Sequence, residues 1–205
     1  MSNVSKLILS ALMLGFSCLA TGADATARDV VDKLDNVLIE VMKGAKAYGY
    51  QGRVDVLTPV VLETHDFESI AKLAVGRYWK DLTDEEKSQL QQKLADYSIA
   101  TYAAQFDSYA GEAFKYESED AAKSGRILVR YTLTSSSEAP HKFEYMLNQA
   151  NGQWRIINII VDGISDLALK RAQYESIIEH EGFPKLLDKL SEKIADYAKS
   201  RAQSS

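Results

Sequence analysis

The chain has 205 residues, enough for one sizeable core and short for two independent ones, and its 46% hydrophobic and 26% charged content is that of a globular protein. A formal net charge of −5, with lysines and arginines interspersed rather than blocked, argues against nucleic acid and other polyanions as partners. The lone cysteine, Cys18, excludes an internal disulfide framework, so stability must come from packing.

At the N-terminus, Lys6 precedes the apolar run Leu7 to Phe16, and the small residues Ala20, Gly22, Ala23 and Ala25 follow. That order is a secretory signal over residues 1–23, with cleavage expected after Ala23 or Ala25. A spanning anchor needs about 20 apolar residues, and the run meets Asp24 first. Lipidation at Cys18 is disfavoured by the Gly15-Phe16-Ser17 that precedes it. The expectation is a periplasmic protein, with residues 24–205 as one α+β domain that has lost Cys18 and Lys6.

Helical periodicity opens that domain. Val30, Leu34, Val37, Val41 and Ala45 recur at helical spacing, with Val31, Leu38 and Met42 widening the stripe, and predict a helix from Thr26 to about Lys46. Gly44, Gly49 and Gly52 punctuate its end. A second helix is expected from about Arg53 to Thr64, or from Thr58-Pro59 as cap and first-turn proline. Asp66 can cap a short helix bearing Phe67, Ile70, Leu73 and Ala74, which Gly76 ends. Thr83-Asp84-Glu85-Glu86 is a capping box opening a long helix to about Tyr109.

The period then changes to two. Ile127, Val129, Tyr131 and Leu133 alternate with polar residues, as a half-buried strand requires. Phe143, Tyr145 and Leu147 repeat the pattern, and Asn151-Gly152 is a hairpin signal before a third strand over Gln153 to Val161. With a weaker strand near Phe114 to Glu119, an antiparallel sheet of about four strands results. Two helices follow, Ser165 to about Glu181 and a final one carrying Phe183, Leu186, Leu187, Leu190, Ile194 and Tyr197.

The chain carries few residues patterned for catalysis. His65, His141 and His180 have no ligand spacing, and no nucleophile elbow, zinc-protease or phosphate-loop motif occurs. Carboxylates such as Glu117, Glu119 and Asp120 are explained by solvated segments. An isomerase could run on one buried Asp and one Tyr, for which Asp107 with Tyr109 or Asp162 with Tyr145 are available. The fuller signal is aromatic: Tyr78, Trp79, Tyr97, Tyr102, Phe106 and Tyr109 on helices can face Tyr131, Phe143 and Tyr145 on the sheet.

Several short motifs occur in order: Asp66-Phe67-x-x-Ile70-Ala71, Gly76-Arg77-Tyr78-Trp79, Thr101-Tyr102-Ala103, Tyr109-x-Gly111-Glu112, Trp154, Gly163-Ile164-Ser165 and Arg171-x-Gln173-Tyr174. Taken together they resemble the MlaC (toluene-tolerance) family of periplasmic phospholipid carriers, over roughly Asp29 to Lys193. His65 stands where that family often has Phe, Asn158 where Asp is common, and Leu169-Lys170 where Asn-Tyr usually precedes the Arg. The resemblance implies a cystatin-like or nuclear-transport-factor-like cone, a curled antiparallel sheet covered by helices with an added helical part. It further implies a non-enzymatic, monomeric carrier without a cofactor, whose cargo is a phospholipid. Its partners would be an outer-membrane lipoprotein–porin complex and an inner-membrane ABC transporter with its substrate-binding ring. A carrier of a hopanoid or solvent molecule, or a small isomerase on the same cone, are the alternatives.

In such a cone the alternation predicts a lipid-binding wall from Val129, Tyr131, Phe143, Tyr145 and Leu147, extended by Ile157, Ile159 and Val161, although Ile156-Ile157 leaves room for a bulge that would switch the face. Ile70, Leu73, Tyr78, Tyr102, Phe106 and Tyr109 are the expected helical wall. Arg77 can meet a phosphate head group or can pair with a helix end or stack on an aromatic ring, the structural role being slightly preferred.

Overall fold

A computed structural model of the protein describes residues 25–136 and 138–202, so the predicted signal segment lies outside the described residues. Helix α1 (Ala27–Lys43) begins at a reciprocal cap: Thr26 Oγ1 accepts from the Asp29 amide at 3.1 Å, and Asp29 Oδ2 accepts from the Thr26 amide at 2.9 Å. Its buried stripe is Val31, Leu34, Leu38, Val41 and Met42.

Helix α2 (Ala45–Thr64) differs from the sequence expectation. The chain breaks at Gly44 and again at Gly49, then runs helically through Pro59. Gly49 sits at φ 59°, ψ −175°, a conformation open essentially to glycine alone. Pro59 is tolerated because it and Asp55, whose carbonyl loses its helical donor, both lie on the exposed face. Buried Arg53 ties this junction to the next layer, donating from Nε to the Ala103 carbonyl at 2.8 Å and from Nη1 to the Ala45 carbonyl at 3.0 Å.

Asp66 caps α3 (Phe67–Val75) by accepting from the Ser69 amide at 3.0 Å, and a 3-10 turn over Gly76–Asp81 leads to α4 (Asp84–Gln105). Helix α4 opens on the expected Thr83–Glu86 box but ends earlier than the pattern suggests, where Phe106 leaves helical geometry at ψ 61°.

The sheet is an antiparallel meander, β1 (Ala113–Ala121), β2 (Ile127–Thr134), β3 (His141–Ala150), β4 (Gln153–Val161) and β5 (Ile164–Ser165), in that spatial order. Asn151 and Gly152 both take positive φ in the β3–β4 hairpin, as do Asp162 and Gly163 in the next turn. That second turn adds the two-residue β5 to the four strands expected. In register, Val129 opposes Tyr145 and Tyr131 opposes Phe143, while Phe143 opposes Val161 and Tyr145 opposes Ile159. The β3–β4 ladder slips at Met146/Leu147, so that Ile156 pairs with Leu147 and Ile157 is the extra residue. A second slip interrupts the β1–β2 ladder between Tyr116 and Ser118.

Helices α5 (Asp166–Glu181) and α6 (Phe183–Ala202) complete the fold. One core joins α1, α2 and the end of α4 to a sheet face through Leu34, Leu38, Leu57, Val61, Ala103, Val129 and Leu147. A second joins α3, α4, α5 and α6 through Ala71, Val75, Leu90, Leu94, Tyr174, Leu186 and Leu190. Among the described residues no helix is long and apolar enough to cross a membrane. Substituting Gly49→Ala is expected to lower stability by about 1–3 kcal/mol through the forced φ alone, since a Cβ there meets nothing within 4 Å; urea unfolding measures it.

Candidate functional site

Where the two cores meet, side chains leave a cavity of about 590 Å³. Leu34 and Leu38 of α1 form its floor, Thr101, Tyr102, Gln105 and Phe106 of α4 one wall, and Phe143, Tyr145, Ile159 and Val161 of the sheet the other. At the mouth stand His141, Asp162, Ile164, Asp166, Leu169 and Lys170; Ile164 at 62% and Leu169 at 63% are the most exposed large apolar side chains among the described residues. A smaller space of about 100 Å³ adjoins it, lined by Ile70, Ala74, Leu94, Ile156, Ile157 and Leu167. The two share Tyr97, Ser98, Tyr102, Ile159, Asp166 and Lys170.

Of the residues expected to form the site, Tyr102, Phe106, Phe143, Tyr145, Ile159 and Val161 meet around the larger cavity. Ile70 and Ile157 line the smaller one, Ile157 because the bulge turns it there. Val129, Tyr131 and Leu147 are packed against α1 in the closed core, with Val129 and Leu147 fully buried. Leu73 is half-buried on α3. Tyr109 lies beyond α4, 44% exposed under Lys43, whose Nζ is 5.3 Å from the ring. Tyr78 packs at the second core and its hydroxyl accepts from Arg77 Nη2 at 2.9 Å. Arg77 also pairs with Glu179 at 3.3 Å, the structural placement expected for it.

Alternation and helical spacing missed Leu34 and Leu38, whose stripe reads as core, and the mouth residues His141, Lys170 and Leu169. They also missed Asp35, although a carboxylate between Val31, Leu34 and Leu38 on an apolar stripe is a visible anomaly. The side chain is buried and its Oδ1 accepts from the Tyr145 hydroxyl at 2.6 Å, while Oδ2 has no partner. Loss of hydration pushes the carboxyl up to about 8, further raised by Asp32 against the opposing Tyr145 hydrogen bond. The environment of the Asp35 side chain thus favours the protonated acid. Burial likewise raises Tyr145 well above the ordinary phenol range.

A second polar line begins on the opposite wall, at Tyr102 of α4. The Tyr102 hydroxyl donates to His65 Nε2 at 3.1 Å, and His65 Nδ1 lies 3.2 Å from the Val61 carbonyl, which assigns the ring proton to Nδ1. The His65 ring stacks on Phe67 with centroids 5.5 Å apart, and burial pushes its pKa down to about 4. Burial therefore shifts Asp35, Tyr145 and His65 alike toward their uncharged forms. At the mouth, His141 Nδ1 and Asp162 Oδ2 lie 2.7 Å apart, raising the imidazole and lowering the carboxyl. The suggested Asp162–Tyr145 couple does not form: Asp162 pairs with His141, and Tyr145 with Asp35. Among the described residues no group of His, Cys, Asp and Glu is arranged to hold a metal ion. The arrangement can house an apolar guest with its polar end outward.

Residues 32–192 match the family model described as MlaC protein. Toluene tolerance protein ttg2D of Pseudomonas putida is 24% identical over 190 residues, spanning 89% of this chain and 86% of that protein. Among solved structures, the phospholipid-binding protein from Ralstonia solanacearum in complex with a phospholipid is similar with a TM-score of 0.74, at 22% identity, over 85% of this chain and 99% of that one. At such identity the likeness establishes a shared fold.

The two buried titrating groups act oppositely on stability. Between about pH 4, where an unfolded aspartate titrates, and about 8, only the folded chain holds the Asp35 proton, so stability falls as pH rises. Between about pH 4 and the unfolded histidine value near 6.5, only the unfolded chain protonates His65, so stability rises with pH. The expected profile is near-level from about pH 4.5 to 6.5 and declining from 6.5 to 8. In Asp35→Asn the decline is largely removed and a rise from about 4.5 to 6.5 appears; urea midpoints across this range check it.

Proposed function

This chain belongs to the MlaC family, and from that premise we propose that it is a periplasmic phospholipid-binding carrier without enzymatic activity. It exchanges cargo with an outer-membrane lipoprotein–porin complex and with the substrate-binding ring of an inner-membrane ABC transporter, helping to maintain outer-membrane lipid asymmetry. The periplasmic location rests on the signal-like N-terminal pattern. The Ralstonia solanacearum protein of the same fold, solved in complex with a phospholipid, supports the cargo.

The observation that carries the reading is the unfilled apolar space between α1, α4 and the sheet. Leaving about 590 Å³ between apolar side chains open forgoes the close packing that ordinarily stabilises a protein interior. Such a cost is sustained where a guest makes use of it. Lipid chains supply the matching need: at about 0.8 kcal/mol per methylene, two chains of about fifteen carbons resist leaving a bilayer by roughly 20 kcal/mol or more. A soluble carrier must replace the bilayer with apolar wall, and transfer must occur where water never meets the chains. Ile164 and Leu169 give the mouth an apolar rim suited to such a docked exchange.

Organic extracts of the purified protein are expected to contain a diacyl phospholipid near one per chain by mass spectrometry. In Ile159→Asp, which places a charge between the two spaces, the lipid content should fall several-fold while circular dichroism still reports the folded chain. An empty wild-type cavity, or a cargo without phosphate, overturns the reading.

A further inference from the structure

The larger cavity carries its formal charges at the mouth, and in a definite order. Lys170 of α5 runs along the wall common to both spaces; its side chain is 19% exposed and its Nζ lies 4.6 Å from the centroid of the Tyr97 ring. It pairs with Asp166, one helical turn earlier, whose side chain is 67% exposed. Across the mouth, His141 and Asp162 form the other pair, 43% and 45% exposed. Lys193, exposed on α6, approaches the Tyr97 ring only at 6.0 Å. Moving outward from the apolar walls, a recessed cation therefore precedes a carboxylate.

A glycerophospholipid entering tails first presents its phosphate beside the glycerol, and an amine head group places its ammonium farther out. We propose that this mouth recognises a zwitterionic amino-phospholipid in preference to an anionic one, Lys170 meeting the phosphate and Asp166 the terminal ammonium. The inference rests on the carrier reading above. On binding, the Lys170–Asp166 pair opens and each member meets the opposite pole of the head group, so neither charge is stranded in the narrowed mouth. A glycerol head group satisfies Lys170 but leaves Asp166 without its counterion and sets the lipid's net charge beside both Asp162 and Asp166. The resulting preference is modest, about threefold to tenfold, because half-exposed ion pairs contribute little each.

The test uses delipidated full-length mature protein and vesicles containing equal amounts of dioleoyl-phosphatidylethanolamine and dioleoyl-phosphatidylglycerol, with bound lipid extracted and quantified. Wild type is expected to take the ethanolamine lipid about threefold to tenfold over the glycerol lipid. Asp166→Asn should bring the ratio toward parity, and Asp166→Lys should invert it. Lys170→Met should lower uptake of both phospholipids relative to dioleoylglycerol supplied in the same vesicles. Equal uptake by wild type, or an unchanged ratio in Asp166→Lys with uptake intact, overturns the head-group inference and leaves the carrier reading standing. Failure of wild type to take any lipid overturns the carrier reading itself.

Discussion

The molecule depends on an incomplete covering of one sheet face. Helix α1 crosses that face and closes it where Val129, Tyr131 and Leu147 stand, burying them against Val31, Leu34 and Leu38. Toward the Phe143–Val161 end of the β3–β4 ladder the same face is left to α4 and the start of α5, which stand off rather than interlock. Close packing is the ordinary condition of a protein interior. Here it holds in two separate cores, and the space between them is what remains when each has satisfied its own contacts.

That division explains what could be learned from residue order. The long helix after Thr83, the Asn151-Gly152 hairpin and the period-two strands were legible because caps, turn residues and alternation are local properties. Alternation also reported correctly which side chains share a face: Val129, Tyr131, Phe143 and Tyr145 do. It could not say which part of that face is covered, since Val129 under α1 and Val161 at the cavity have the same spacing and the same chemistry. The bulge at Ile157 was legible only as a possibility, because two adjacent isoleucines fit either face. The break at Gly49 needed knowledge of a backbone angle, not of a pattern. Lys170 and His141 look like solvated charges until the fold brings helix start and hairpin end together.

The polar groups in the walls follow a common rule. Buried Tyr145 and His65 and half-buried Tyr102, together with buried Asp35 hydrogen-bonded to Tyr145, are each shifted toward the uncharged form. A charge at any of these positions would draw water into the space and weaken its hold on hydrocarbon. Formal charge in the cavity lining stands at the mouth, where Lys170 pairs with Asp166 and His141 with Asp162. The interior is thus polar in composition at several points and apolar in effect.

The slip in the β1–β2 ladder between Tyr116 and Ser118 has a bearing on how copies of the chain behave side by side. β1 is a free edge of the meander, and an unbroken edge invites another polypeptide to continue the sheet. The local kink spoils the even run of donors and acceptors that such growth needs, and exposed Lys115, Glu117, Glu119 and Asp120 crowd the approach with charge. This border is thus guarded against edge-to-edge growth by backbone irregularity and by charge.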